Sequence, residues 1–136
     1  MLPSDVIRER GWCQWMLYSE KGNVCIRGAI NTFLQPTQPA SQQRIVFDEA
    51  FWEWDKVVAH VLGTNPQPHD DEGTPTGDTG VVRWNNALDR TKEEVIEVLE
   101  KVEYERGLRV KMEDLIEPFK EREMALKVQN PPDSGE

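Results

Sequence analysis

SQQRIVFDEAFWEWDKVVAHVL, residues 41–62, is the stretch that decides the fold class. Within it Phe47, Phe51, Trp54, Val58 and Val61 recur at i, i+4, i+7, i+11 and i+14. That spacing puts apolar side chains on one face of an α-helix. It predicts a long helix over 41–62, ended by Gly63 in the left-handed position that follows many helices. Such a helix must bury its stripe against other elements, and the rest of the chain offers more helices than strands to do so.

Upstream, Leu2 to Arg10 reads as a short helix with Val6 and Ile7 inward and Gly11 as its stop. Asn23 is placed to cap a second helix in which Cys25, Ile26, Ala29, Ile30 and Phe33 share a face. Gly28 weakens that helix by about 1 kcal/mol relative to Ala, so its presence points to another element packed closely on it. The helix should end before Gln35-Pro36, because a residue preceding proline is pushed out of the α region. Downstream, Thr91-Lys92-Glu93-Glu94 is a capping box. It opens a helix with Val95, Val98, Leu99 and Val102 inward and Gly107 as its stop. Trp15 to Tyr18 and Val81 to Trp84 read as short extended segments. Between them, Gly63 to Gly80 holds four glycines, three prolines and four acids in eighteen residues. A loop of that length without periodicity is either disordered or functional.

The expected architecture is mainly α: a compact single-domain bundle of four to five helices with at most a small two-stranded β patch. Residues 1–107 form the helical core with the acidic loop at 63–80. Residues 108–129 form a C-terminal helical extension, with a helix over 112–128 that Pro118 kinks or divides, and 130–136 is a disordered tail. A chain of 136 residues favours a single core that needs no metal or disulfide to fold. No apolar run approaches the ~20 residues of a membrane helix, and no basic segment followed by an apolar one opens the chain as a signal peptide would. A cytoplasmic setting with reduced Cys13 and Cys25 is therefore expected, with no membrane partner.

The net charge is -9 with a pI near 4.8, which argues against binding a nucleic-acid backbone. The acidity is concentrated. Residues 48–78 carry eight acids against Lys56 alone, a local net of -7. Such a surface attracts cationic partners.

The stretches Gly11-Trp12, Gly22-Asn23-Val24-Cys25-Ile26-Arg27-Gly28-Ala29, Trp84-Asn85-Asn86, Arg90-Thr91 and Glu94-Val95 together resemble a small uncharacterised domain family of actinomycetes and their bacteriophages. The resemblance covers roughly residues 3–104. It implies a bacterial or phage cytoplasmic setting and makes Leu108 to Glu136 an addition outside the shared core; it carries no activity over. Asn86 departs from the pattern, which has an acid there.

Two functional classes compete. The first is a protein-interaction module, phage-encoded as the resemblance implies, that binds a host protein with a basic surface through an acidic, aromatic face. Its candidate residues are Trp52, Asp48, Glu49, Asp55, Asp70, Asp71 and Glu72. Trp52 lies about 160° from Trp54 on the helix, so it is expected to be exposed or covered only by a partner. The second is a cysteine-dependent hydrolase using Cys25, in the first turn of its helix where the dipole favours thiolate, with His60 or His69 as base. The commoner fate of such a cysteine is a small core residue. His69-Asp70-Asp71-Glu72 offers oxygen and nitrogen ligands, but without calcium-loop or zinc spacing no metal and no cofactor is expected. Leu115, Phe119 and Leu126 give the extension a narrow apolar seam. It either docks on its own domain or forms a homodimer through 108–128.

Overall fold

The computed structural model describes residues 1–77 and 79–109. The chain divides into two compact units, Met1–Glu103 and Tyr104–Glu136. The expected helix over 112–128, the effect of Pro118, the tail and the 108–128 seam all lie outside the described residues.

The described chain is a bundle of five α-helices without a sheet. The helices are α1 (Pro3–Arg10), α2 (Ile26–Leu34), α3 (Glu49–Leu62), α4 (Gly80–Asn85) and α5 (Lys92–Glu105), with one 3-10 turn at Ala40–Gln42. Val6 and Ile7 of α1, Val24 just ahead of α2, Ile26, Ala29 and Ile30 of α2, Phe51, Trp52, Trp54, Val58 and Ala59 of α3, Val81 of α4 and Val95, Leu99 and Val102 of α5 form one buried core.

Local chemistry accounts for the ends of these helices. Pro3 occupies the first turn of α1, where its missing N–H is no loss, and Asp5 accepts from the Leu2 N–H at 3.2 Å. Glu103, buried on α5, accepts from the Ser4 N–H and the Ser4 hydroxyl at 2.7 Å each, placing a carboxylate at the positive end of α1. Arg8 pairs with Glu100 beside it, an ion pair that raises the guanidinium pKa mainly through the hydrogen bond. The capping box at α5 forms as read. The Glu94 N–H donates to Thr91 Oγ1 at 3.2 Å, and Glu94 Oε1 accepts from the Thr91 N–H at 2.9 Å, which lowers the Glu94 pKa. Gly63 closes α3 with φ 73° and ψ 28°.

Four expectations are corrected. The helix read over 41–62 begins at Glu49, because Asp48 caps it by accepting from the Phe51 N–H at 2.9 Å. The preceding residues are held extended instead: Asn31 on α2 donates to the Arg44 carbonyl at 2.8 Å and accepts from the Val46 N–H at 3.0 Å. The cap of α2 is Cys25 and not Asn23; its sulfur accepts from the Gly28 N–H at 3.3 Å. Val81 to Trp84 is helical, with Val81 and Asn85 one turn apart and both buried. Around Trp15 to Tyr18 only isolated bridges form, Trp12 and Tyr18 each pairing with Val24. Gly28 has the close neighbour its sequence context required: a Cβ there would collide with the Leu17 carbonyl oxygen.

Candidate functional site

The first two turns of α3 and the loop returning over them enclose a cleft of about 730 Å3. The loop is built, not loose. Asp70 Oδ1 accepts from the N–H groups of Glu72 and Thr74 at 3.0 and 2.8 Å, and His69 bridges to Pro75. Gly73, at φ 86°, sits so close to the Phe47 carbonyl that a Cβ would clash with it. Its own carbonyl accepts from Trp52 Nε1 at 3.0 Å. The imidazole of His69 stacks on Trp52 with centroids 4.4 Å apart and planes 4° apart, and Phe47 stacks on the same indole at 5.4 Å.

Trp52 is therefore not the exposed residue its helical phase indicated. It is 8% exposed, covered by its own chain. The phase argument takes it off the core, but Trp52 belongs to the buried core cluster with Phe51 and is covered by the loop as well. Asp55 is also relocated. It is buried, and Oδ1 accepts from Arg27 Nε at 3.0 Å across α2 and α3. Arg27 is buried as well, reaching Gln67 Oε1 at 2.7 Å and Thr79 Oγ1 at 3.2 Å, and its guanidinium lies 5.5 Å from the Phe51 ring centroid. The Asp55–Arg27 pair thus ties α2, α3 and the loop together. Asp55 Oδ2 has no hydrogen-bond partner among the described residues. An unmet charged acceptor in such a place costs about 1–3 kcal/mol or more.

All seven residues singled out for binding line this one cleft: Asp48, Glu49, Trp52, Asp55, Asp70, Asp71 and Glu72. Glu53 joins them, and among the described residues Lys56 is the single lysine or arginine in the wall. Lys56 pairs with Glu53 at 3.2 Å, an exposed contact worth little in water. Sequence reading missed Arg27, whose signal was a charged residue three and four positions before the buried Ile30 and Asn31. Among the described residues no group of three or more His, Cys, Asp or Glu side chains is arranged to hold a metal ion.

The thiol constellation is not assembled. Cys25 is buried, and burial pushes its thiol up, outweighing the backbone N–H groups that favour thiolate. It lines a separate cavity of about 220 Å3 with Asn85 and Asn86, whose wall contains no histidine. His69 lies in the acidic cleft and His60 lines neither cavity. Both cysteines are free, and burial raises Cys13 to about 11.

The paired motifs noted in the sequence converge at Asn85. Its Oδ1 accepts from Trp12 Nε1 at 2.8 Å and from the Ile26 N–H at 3.1 Å; its Nδ2 donates to the Cys13 carbonyl and to Asn86 Oδ1. Asn86 Oδ1 also accepts from the N–H of Trp15, an exposed residue held at φ 69°. Residues 4–105 match the model of a family of unknown function, DUF6197. The chain belongs to DUF6197. Neither the curated proteins nor the solved structures contain a match to it. The DUF6197 match covers the five helices except Pro3, the whole cleft, and residues Trp12, Cys25 and Asn85. No helix among the described residues is long and apolar enough to cross a membrane.

Proposed function

We propose that this DUF6197 protein is a small interaction module whose acidic cleft binds a basic segment of a partner protein. One observation carries the reading: carboxylates spread from residue 48 to residue 72 converge with Trp52 on a single concave surface. Seven acids face one lysine there, and carboxylates held at fixed positions in a cleft focus a negative potential that draws and orients cationic partners. The motif resemblance extends the proposal to a phage-encoded, cytoplasmic protein of actinomycete hosts whose partner is a host protein. A homodimer through 108–128 belongs to the same proposal.

The test is affinity capture from actinomycete lysate at low and high salt, with Glu49→Gln/Asp71→Asn/Glu72→Gln as the comparison. These three side chains are exposed, so the triple change alters charge and leaves the core intact. The proposal expects one stoichiometric basic protein, retained at low salt, released at high salt and lost in the variant. Equal capture by both proteins, or capture insensitive to salt, would contradict it.

A further inference from the structure

The cavity of about 220 Å3 beside Cys25 shares no lining residue with the acidic cleft. Met16, Leu17, Ile26 and Val82 give it apolar walls. Trp15 lines it too and is 77% exposed, so much of its indole lies open. That exposure is imposed by the fold. Among the described residues Trp15 is the one non-glycine residue at positive φ, 69°, a region that favours glycine. Its N–H donates to Asn86 Oδ1 at 2.8 Å, and Gln14 Nε2 beside it donates to the carbonyls of Asn85 and Ala87 at 3.1 and 2.7 Å. Backbone strain of this kind persists only where surrounding contacts enforce it, and it gathers at ligand clamps. Asn86 supplies a polar group. Its Oδ1 accepts from both the Trp15 N–H and Asn85 Nδ2, which fixes the other end of the amide as nitrogen. Asn86 Nδ2 has no partner among the described residues, and Asn86 lines the cavity.

We propose that this cavity binds a small neutral aromatic ring bearing a carbonyl group, the ring against Trp15 and the apolar walls and the carbonyl oxygen accepting from Asn86 Nδ2. The size fits, because an apolar cavity of about 150 Å3 already takes a benzene ring. The indole of Trp15, the thioether of Met16 and the sulfur of Cys25 are all favourable contacts for a ring. A donor without a partner calls for an acceptor on the ligand, whereas Asn85 is already fully engaged by Trp12, Ile26, Cys13 and Asn86. Charge is unwelcome. No carboxylate lines the cavity among the described residues, and the guanidinium of Arg27 is taken up by Asp55, Gln67 and Thr79. Burial keeps the Cys25 thiol protonated as well.

Acetophenone, ethylbenzene and benzoate would be titrated into the full 15N-labelled chain. They share a ring and differ in carrying a neutral acceptor, no acceptor or a charge. Acetophenone should shift the backbone amides of residues 15–17 and 25–26 and the side-chain amide of Asn86, and should bind about fivefold more tightly than ethylbenzene. Benzoate should leave these signals in place. Asn86→Asp keeps the acceptor for the Trp15 N–H and removes the donor, so the preference for acetophenone over ethylbenzene should vanish. Trp15→Gly adopts φ 69° without strain; it should melt no lower than the wild type and bind both neutral rings at least about threefold more weakly. Benzoate binding as well as acetophenone, equal affinities for the two neutral rings, a preference that survives Asn86→Asp, or undiminished binding in Trp15→Gly would overturn the proposal. So would the absence of shifts at these residues with every ring. Should either variant not fold, the wild-type ranking of the three ligands decides alone.

Discussion

Replacing Asn85 with leucine should unlock the contact between the 12–18 loop, α2 and α4. The side chains are similar in volume, so the change isolates hydrogen bonding from cavity formation. Leucine leaves Trp12 Nε1 and the Ile26 N–H without their shared acceptor, and the Cys13 carbonyl without its donor. Asn85 is 2% exposed, so water cannot readily replace it at Ile26. At about 1–3 kcal/mol for each of the two abandoned donors the loss comes to roughly 2–6 kcal/mol. That is a large share of the 5–15 kcal/mol that typically holds a domain together. For a unit of this size it corresponds to a fall in Tm of about 10–30 °C. Urea unfolding followed by far-UV circular dichroism measures it, with Asn86→Asp as the control. Among the described residues Asn86 uses only its oxygen, towards Trp15 and Asn85. A carboxylate can replace that acceptor, so the control should change stability by less than about 0.5 kcal/mol. A loss below about 1 kcal/mol in Asn85→Leu would refute the assignment of Asn85 as the hub.

Other outcomes follow from the same contacts. Trp52→Ala should destabilise by about 3 kcal/mol, at the lower end of aromatic-to-alanine changes because the indole lies at a cleft wall; an unchanged urea midpoint would show that the loop does not cover it. Gly28→Ala should destabilise by about 1–3 kcal/mol despite alanine's helix propensity, since the new methyl meets the Leu17 carbonyl; a stabilised variant would contradict the close approach. Both thiols are raised above their ordinary value of 9.0, Cys13 to about 11, so the folded state holds its protons longer than the unfolded one. The contribution of Cys13 is intact below pH 9 and declines as the pH rises towards 11, and that of Cys25 likewise declines as the pH rises above 9. At pH 8 alkylation of Cys13 should run about a hundredfold slower than in the urea-unfolded chain, following thiolate fraction; comparable rates would contradict its burial.

Much of the helical core was legible because periodicity and caps agree. The stripes of α1, α2 and α5 and the stops at Gly11, Gly63 and Gly107 are local signals, each decided within a turn or two. The start of α3 was misread although Asp48 was in view, because the stripe through Phe47 outweighed the cap. Val81-Val82 reads alike as a strand or as a short buried helix, and six residues give periodicity too little length to choose. Buried charges were the harder case. Asp55 lies four residues after Phe51, and Glu103 lies four after Leu99, so both fall on apolar faces. Their partners, Arg27 and Ser4, are far away in sequence, and local patterning cannot supply them. The candidate site shows the same division. Its composition was visible as a run of acids, whereas its concavity depends on Gly73 and His69 returning to Phe47 and Trp52.

Chemical-shift mapping of the full 15N-labelled chain with a short arginine- and lysine-rich peptide tests the central claim most directly. The account predicts salt-sensitive shifts confined to residues 47–56 and 66–73, including the Trp52 indole N–H. Shifts centred on residues 15–17 and 82–86, or no shifts at low salt, would contradict it.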